Sequence, residues 1–130
     1  MTVYEKDTSF SIGWVFGGAV IMFLLNFFAS IVITLTGWVH LLPVAIAVPC
    51  ACFLAGGFIV GKWSSGRTII EAGLGGAIAA GASIVLVMLR VHAEMTPAVV
   101  ALGSVPPFFC ALLGGYVGEK VQGDTIEVQD

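Results

Sequence analysis

Four blocks of apolar sequence, each about as long as a bilayer is thick, dominate this chain. They cover residues 12–37, 41–61, 68–91 and 97–118, with short polar interruptions between them. A helix rises 1.5 Å per residue, so crossing a hydrocarbon core of ~30 Å takes ~20 residues. Only 10% of the 130 residues are charged, against roughly a quarter in a soluble domain. So small a polar complement does not cover a globule in water. The expectation is one all-α, membrane-embedded four-helix bundle. Residues 119–130 are expected to form a polar, acidic cytoplasmic tail.

Local signals agree with these spans. Thr8, Ser9 and Ser11 are candidate caps before the first. Lys6 lies between Glu5 and Asp7, so a cleavable signal with a basic lead is not expected, and the first block is read as a retained span. Trp14 and Trp38 suit the two aromatic belts. Trp38-Val39-His40 is a minimal turn, and Lys62-Trp63-Ser64-Ser65-Gly66-Arg67 is the clearest loop. Thr68 and Glu71 are spaced as a capping box opening the third span. Arg90 either snorkels to the interface or pairs with Glu94, and Pro97 suits the start of the fourth span. With the N-terminus inside, Lys6, Lys62, Arg67 and Lys120 are cytoplasmic and Arg90 alone is outside. The positive-inside bias therefore predicts both termini in the cytoplasm of a multi-pass protein of the cell's cytoplasmic (inner) membrane.

An internal echo suggests two tandem helical hairpins. Residues 54–62 and 112–120 share Leu, Gly-Gly and a terminal Lys at an ungapped spacing of 58. Phe16-Gly17-Gly18-Ala19-Val20 and Leu74-Gly75-Gly76-Ala77-Ile78 keep that spacing, as do Pro49 with Pro107 and Cys52 with Cys110. Two hairpins of one orientation imply a pseudo-two-fold axis along the membrane normal, a parallel repeat.

Small residues are the next signal. In lipid, helices associate through close backbone approach and interhelical hydrogen bonds. The candidate packing residues are Gly17, Gly18, Gly56, Gly57, Gly61, Gly73, Gly76, Gly81, Gly114, Gly115 and Gly118. Most fall in the cytoplasmic half, so packing is expected to be tight there and looser outside. A glycine-lined pore is the other reading.

Polar groups inside the spans are few. Asn26, Ser30 and Thr34 recur every four residues on one face of the first span. Such a face meets protein or water, since lipid offers it no partner. Pro49, Pro106 and Pro107 are expected to kink their helices and free the carbonyls of Ala45, Leu102 and Gly103. Ser30 and Ser83 lie at a similar depth, and a polar layer is expected there, in which serine hydroxyls or waters satisfy those carbonyls. Glu71 is the deepest carboxylate, either a cap or a proton- or cation-coupling group.

Catalytic signatures are missing. No nucleophile–base pairing, phosphate-binding glycine loop or metal-ligand spacing is present. Cys50, Cys52 and Cys110 lie inside apolar runs and read as small hydrophobes, while His40 and His92 fall in loops. No metal, cofactor or enzymatic activity is expected. The net charge of −3 comes largely from the last dozen residues, and no basic patch offers nucleic acid a surface.

The run Gly56-Gly57-Phe58-Ile59-Val60-Gly61-Lys62, then Gly66-Arg67 and Glu71-Ala72-Gly73-Leu74-Gly75-Gly76, resembles a pattern in small uncharacterised four-helix, glycine-rich membrane proteins of bacteria and archaea. The resemblance covers about 20 residues. It implies four spans and a prokaryotic cytoplasmic membrane, and it brings no assigned activity. The leading functional expectation is a non-enzymatic structural or accessory subunit. Its partners would be the lipid bilayer and either further copies of itself (a homo-oligomer) or other membrane subunits, met through glycine-rich faces. A small channel or transporter using Asn26, Ser30 and Thr34 is the alternative, and a holin-like permeabilising protein is a third.

Overall fold

The structure is a computed structural model that describes residues 10–64, 68–91 and 96–127. The expectations for Lys6, Thr8, Ser9, Arg67 and the Arg90–Glu94 pairing fall outside what is described. Four helices form: α1 (Ile12–Thr36), α2 (Leu42–Trp63), α3 (Thr68–Val91) and α4 (Pro97–Glu127). All four are long and apolar enough to cross a membrane, and they pack together as one all-α bundle.

The joints follow local chemistry. Gly37 ends α1 in the left-handed conformation, φ 75°, and its N–H reaches the carbonyls of Ile33 and Thr34. A residue without a Cβ adopts that conformation at little cost. One 3-10 turn (Trp38–His40) leads to Leu41, and Pro43 sits in the first turn of α2, where a missing N–H removes no helical bond. Pro49, Pro106 and Pro107 all lie inside helices.

Two boundary expectations change. Thr68 is the first residue of α3, and its hydroxyl donates to Glu119 of α4. The Glu71 carboxylate turns to Ser11 and Ser64, so the capping box does not form. These distant partners offer Glu71 more than a reach back along its own helix. The fourth helix also continues past Gly118 to Glu127, so residues 119–127 are helical. Gly118 lies against α2 and helix geometry carries straight through it, so it does not act as a terminator.

Pair contacts define the arrangement. Gly18 faces Val60 and Gly56 faces Met22, so α1 and α2 are antiparallel neighbours. Gly73 faces Leu112 and Gly76 faces Ala111, which does the same for α3 and α4. The two hairpins meet along α1–α3 and α2–α4, both parallel, and α2 also touches α3. Among the described residues α1 and α4 do not touch.

The buried residues gather at one end of the bundle. They are Val15, Gly18, Ala19 and Met22 in the first half of α1, and Phe53, Gly56, Gly57, Val60 and Gly61 in the last half of α2. The early turns of α3 and the later turns of α4 complete them with Ala72, Gly73, Gly76, Ala111, Gly114 and Gly115. Met22 and Phe53 are the largest apolar side chains in a core otherwise made mostly of alanine and glycine. Large residues such as Phe16, Phe28, Leu35 and Leu89 point outward. Lipid imposes no penalty on that exposure, and small interior residues let backbones approach.

The tightest seam joins α2 and α4. A Cβ on Gly57 would stand 3.1 Å from the Cα of Ala111, and one on Gly61 3.0 Å from the Cα of Gly115. Reciprocally, a Cβ on Gly114 would stand 2.9 Å from the Phe58 nitrogen, and one on Gly118 2.8 Å from the Lys62 nitrogen. Two Gly-xxx-Gly faces thus clasp each other across parallel helices. Gly57 matches Gly114 and Gly61 matches Gly118, a spacing of 57 residues. The α1–α3 contact keeps it too, since Gly75 lies on the Gly18 backbone and Asn26 bonds Ser83.

The packing register therefore differs by one from the 58-residue sequence register. One residue turns a helix by ~100°, so residues aligned at 58 face different neighbours: Gly56 meets Met22 whereas Gly114 meets Leu54. The faces are also narrower than the glycine content suggests. Gly17 and Gly81 have nothing within 4 Å of an added Cβ, so they do not pack against another helix among the described residues. Gly17 sits one residue, hence ~100° of rotation, off the Gly18 face. Gly75, which lies on α1 backbone, takes up that role.

Candidate functional site

Two polar places stand out in this apolar bundle. The first is at the closed end. Glu71, one turn into α3, is fully buried. Its Oε1 accepts the Ser11 N–H at 2.7 Å and its Oε2 accepts the Ser64 hydroxyl. Ser11 precedes α1 and Ser64 follows α2. One carboxylate therefore ties together the start of α1, the end of α2 and the first turn of α3. Beside it the buried Thr68 hydroxyl donates to Glu119, which adds α4. A carboxylate bonded by two donors retains the partners that burial would otherwise take from it.

This arrangement clamps the four helices at one level. It gives Glu71 the character of a tie between helices. Glu71 was legible as the deepest carboxylate, but its burial was not. Its partner Ser11 and the Thr68 partner Glu119 were not legible either, because these bonds join positions 60 and 51 apart. Ser64, seven positions before Glu71, lies across the α2–α3 connection, so no spacing within one helix links the two.

The second place is the flank of the open half, between α1 and α3. A groove of about 240 Å³ is lined there by Asn26, Phe27, Ser30, Thr34, Ser83 and Leu86, among others. Asn26 is two residues past the middle of α1, ~3 Å of rise from it. Its Nδ2 donates to the Ser83 hydroxyl at 3.3 Å, and that hydroxyl donates to the Ala79 carbonyl at 2.9 Å. The Thr34 hydroxyl donates to the Ser30 carbonyl at 2.8 Å. The structure thus brings Asn26, Ser30, Thr34 and Ser83 to one groove and leaves Glu71 in the other cluster.

Of the expected polar layer, the structure bears only on the serine hydroxyls. Ser83 serves its own helix, Ser30 is exposed, and no side-chain hydroxyl among the described residues reaches the carbonyls of Ala45, Leu102 or Gly103. A serine in a helix has its nearest acceptor one turn back in the same helix, as Ser104 also shows with Val100 at 2.8 Å. Two further grooves are lined mainly by apolar side chains. One of about 680 Å³ lies between α1 and α2, around Ala29, Ile33, Pro43 and Ala47. The other, about 250 Å³, lies between α3 and α4, around Ala80, Gly81 and Ser104.

Comparison with known protein families, with curated proteins and with solved structures finds no match for this chain.

Proposed function

We propose that this chain is a non-enzymatic accessory subunit of a membrane, inserted with both termini in the cytoplasm and built from two duplicated hairpins. The observation that carries the reading is the α2–α4 seam. Its backbones lie too close to admit a single methyl group at Gly57, Gly61, Gly114 or Gly118. A seam with no room for a methyl has none for a hydrated ion. One copy is therefore a plug at its packed end, and its accessible features are lateral.

Lys62 and Lys120, at or near the packed end on α2 and α4, favour placing that end in the cytoplasm. The Gly57–Gly61 and Gly114–Gly118 faces are already used within the chain. That leaves the flanks of the open half, where Gly81 stays free of helix contact among the described residues, for association. The transport reading draws its support from the same α1–α3 groove, where Asn26, near the middle of α1, and Ser30, one turn further on, offer polar atoms.

Reconstitution separates the two. Purified protein in liposomes is expected to pass neither ions nor small solutes above the lipid background. Flux that disappears on Asn26→Leu would replace the accessory reading with transport.

A further inference from the structure

We infer that the α1–α3 groove is a self-association site, in which Asn26 of two copies pairs across a two-fold axis within the membrane. The inference rests on the accessory reading and names its partner. Among the described residues, the Asn26 carboxamide makes one hydrogen bond, to Ser83. An amide has two N–H donors and a carbonyl acceptor, so one donor and the acceptor remain. The Ser30 hydroxyl, one turn further on, is exposed and has no partner among the described residues. Asn26 lies near the middle, and Ser30 one turn nearer the end, of a helix long and apolar enough to span the bilayer.

Hydrocarbon supplies no hydrogen bonds, and an unmatched polar group at that depth is costly. The remaining donor and acceptor are complementary to each other. A second copy, rotated by 180° about an axis beside Asn26, donates its amide N–H to the Oδ1 of the first and accepts in return. A two-fold contact of this kind closes at two copies. No other occupant is required to satisfy both groups. Ser30 lies ~40° round the helix from Asn26, on the same face, whereas Phe28 lies ~200° away.

The test measures association of donor- and acceptor-labelled chain by energy transfer in phosphatidylcholine–phosphatidylglycerol vesicles. Wild type is expected to dimerise. Asn26→Leu should weaken the dimer roughly tenfold, which is about 1.4 kcal/mol and what two such bonds supply. Ser83→Ala, which removes only the bond within the chain, should leave the dimer within about twofold. Cross-linking gives a second arm. With Cys50, Cys52 and Cys110 replaced by alanine, Ser30→Cys should form disulfide dimers under mild oxidation and Phe28→Cys should not.

Should Asn26→Leu fail to fold, Asn26→Gln and the cross-linking pair decide. The amide is kept in Asn26→Gln, so it should dimerise. A monomeric wild type, a dimer indifferent to Asn26→Leu, or equal cross-linking at both cysteines overturns the inference. A monomer that is impermeable would sink only the self-association and leave the accessory reading standing. Flux would sink the accessory reading itself.

Discussion

Replacing glycines by alanine, one at a time, should split them into two classes of opposite sign. Consider Gly114→Ala. The new Cβ would lie 2.9 Å from the Phe58 nitrogen and 3.0 Å from the Leu54 carbonyl carbon, with the Leu54 oxygen nearer still. Each of these atoms is backbone, so no side-chain rotation relieves the overlap. Ordinary contact begins near 3.4 Å, and α4 must retreat from α2 by roughly 1 Å, giving up dispersion contacts along the seam. Overpacking of this kind costs about 1–3 kcal/mol. Alanine returns up to ~1 kcal/mol in helix preference. Because the overlap is with backbone, the cost falls in the upper part of that range, about 2–3 kcal/mol, so the net expectation is a loss of about 1–2 kcal/mol, and the same holds for Gly57, Gly61 and Gly118.

At Gly17 and Gly81 an added methyl meets nothing within 4 Å, so alanine should be neutral or stabilising by up to ~1 kcal/mol. Gly73→Ala falls between, because its nearest neighbour is the far end of the Leu112 side chain. Unfolding in mixed micelles by rising dodecyl sulfate, followed by tryptophan fluorescence, reads these differences. A Gly114→Ala chain as stable as wild type, or a Gly81→Ala chain as damaged as Gly114→Ala, would refute the packing argument.

Three further outcomes are expected from the same assay. Phe53→Ala and Met22→Ala empty a core that is otherwise alanine and glycine, and should cost about 3–5 and 2–5 kcal/mol. Glu71→Ala strips acceptors from Ser11 and Ser64 together and should cost about 2–4 kcal/mol, whereas Glu71→Gln, which still accepts the Ser11 N–H while Ser64 turns to accept, should cost about half as much. Equal losses for the two would mean that the carboxylate does not tie the helices. Gly37→Val places a branched residue at φ 75° and should cost at least ~1 kcal/mol, and an unchanged stability would contradict the left-handed joint.

The spans were legible because lipid demands length and continuous apolarity, and both are visible residue by residue. The end of α4 was not, since Gly118 looks like a terminator in sequence and is a contact residue in space. The Gly57–Gly61 and Gly114–Gly118 faces were readable as patterns. That they clasp each other was not, because the ungapped echo at 58 conceals a packing register of 57. Gly17 and Gly81 carried the same pattern without a neighbour. Spacing along one helix says which residues share a face, but which neighbour that face meets depends on the other helices. The Asn26 stripe was visible for the same reason, and its bond to Ser83 was not, because it joins positions 57 apart in the chain.

The central claim is that α2 and α4 touch backbone to backbone at one end of the bundle. Solid-state NMR of the protein in lipid bilayers, with ¹³C at the Gly114 Cα and at the Leu54 carbonyl, measures it directly. The carbonyl carbon lies 3.0 Å from the Cβ position of Gly114, and the Cα is one bond of ~1.5 Å further at most. The account predicts a separation under about 5 Å, and one of about 7 Å or more would contradict it.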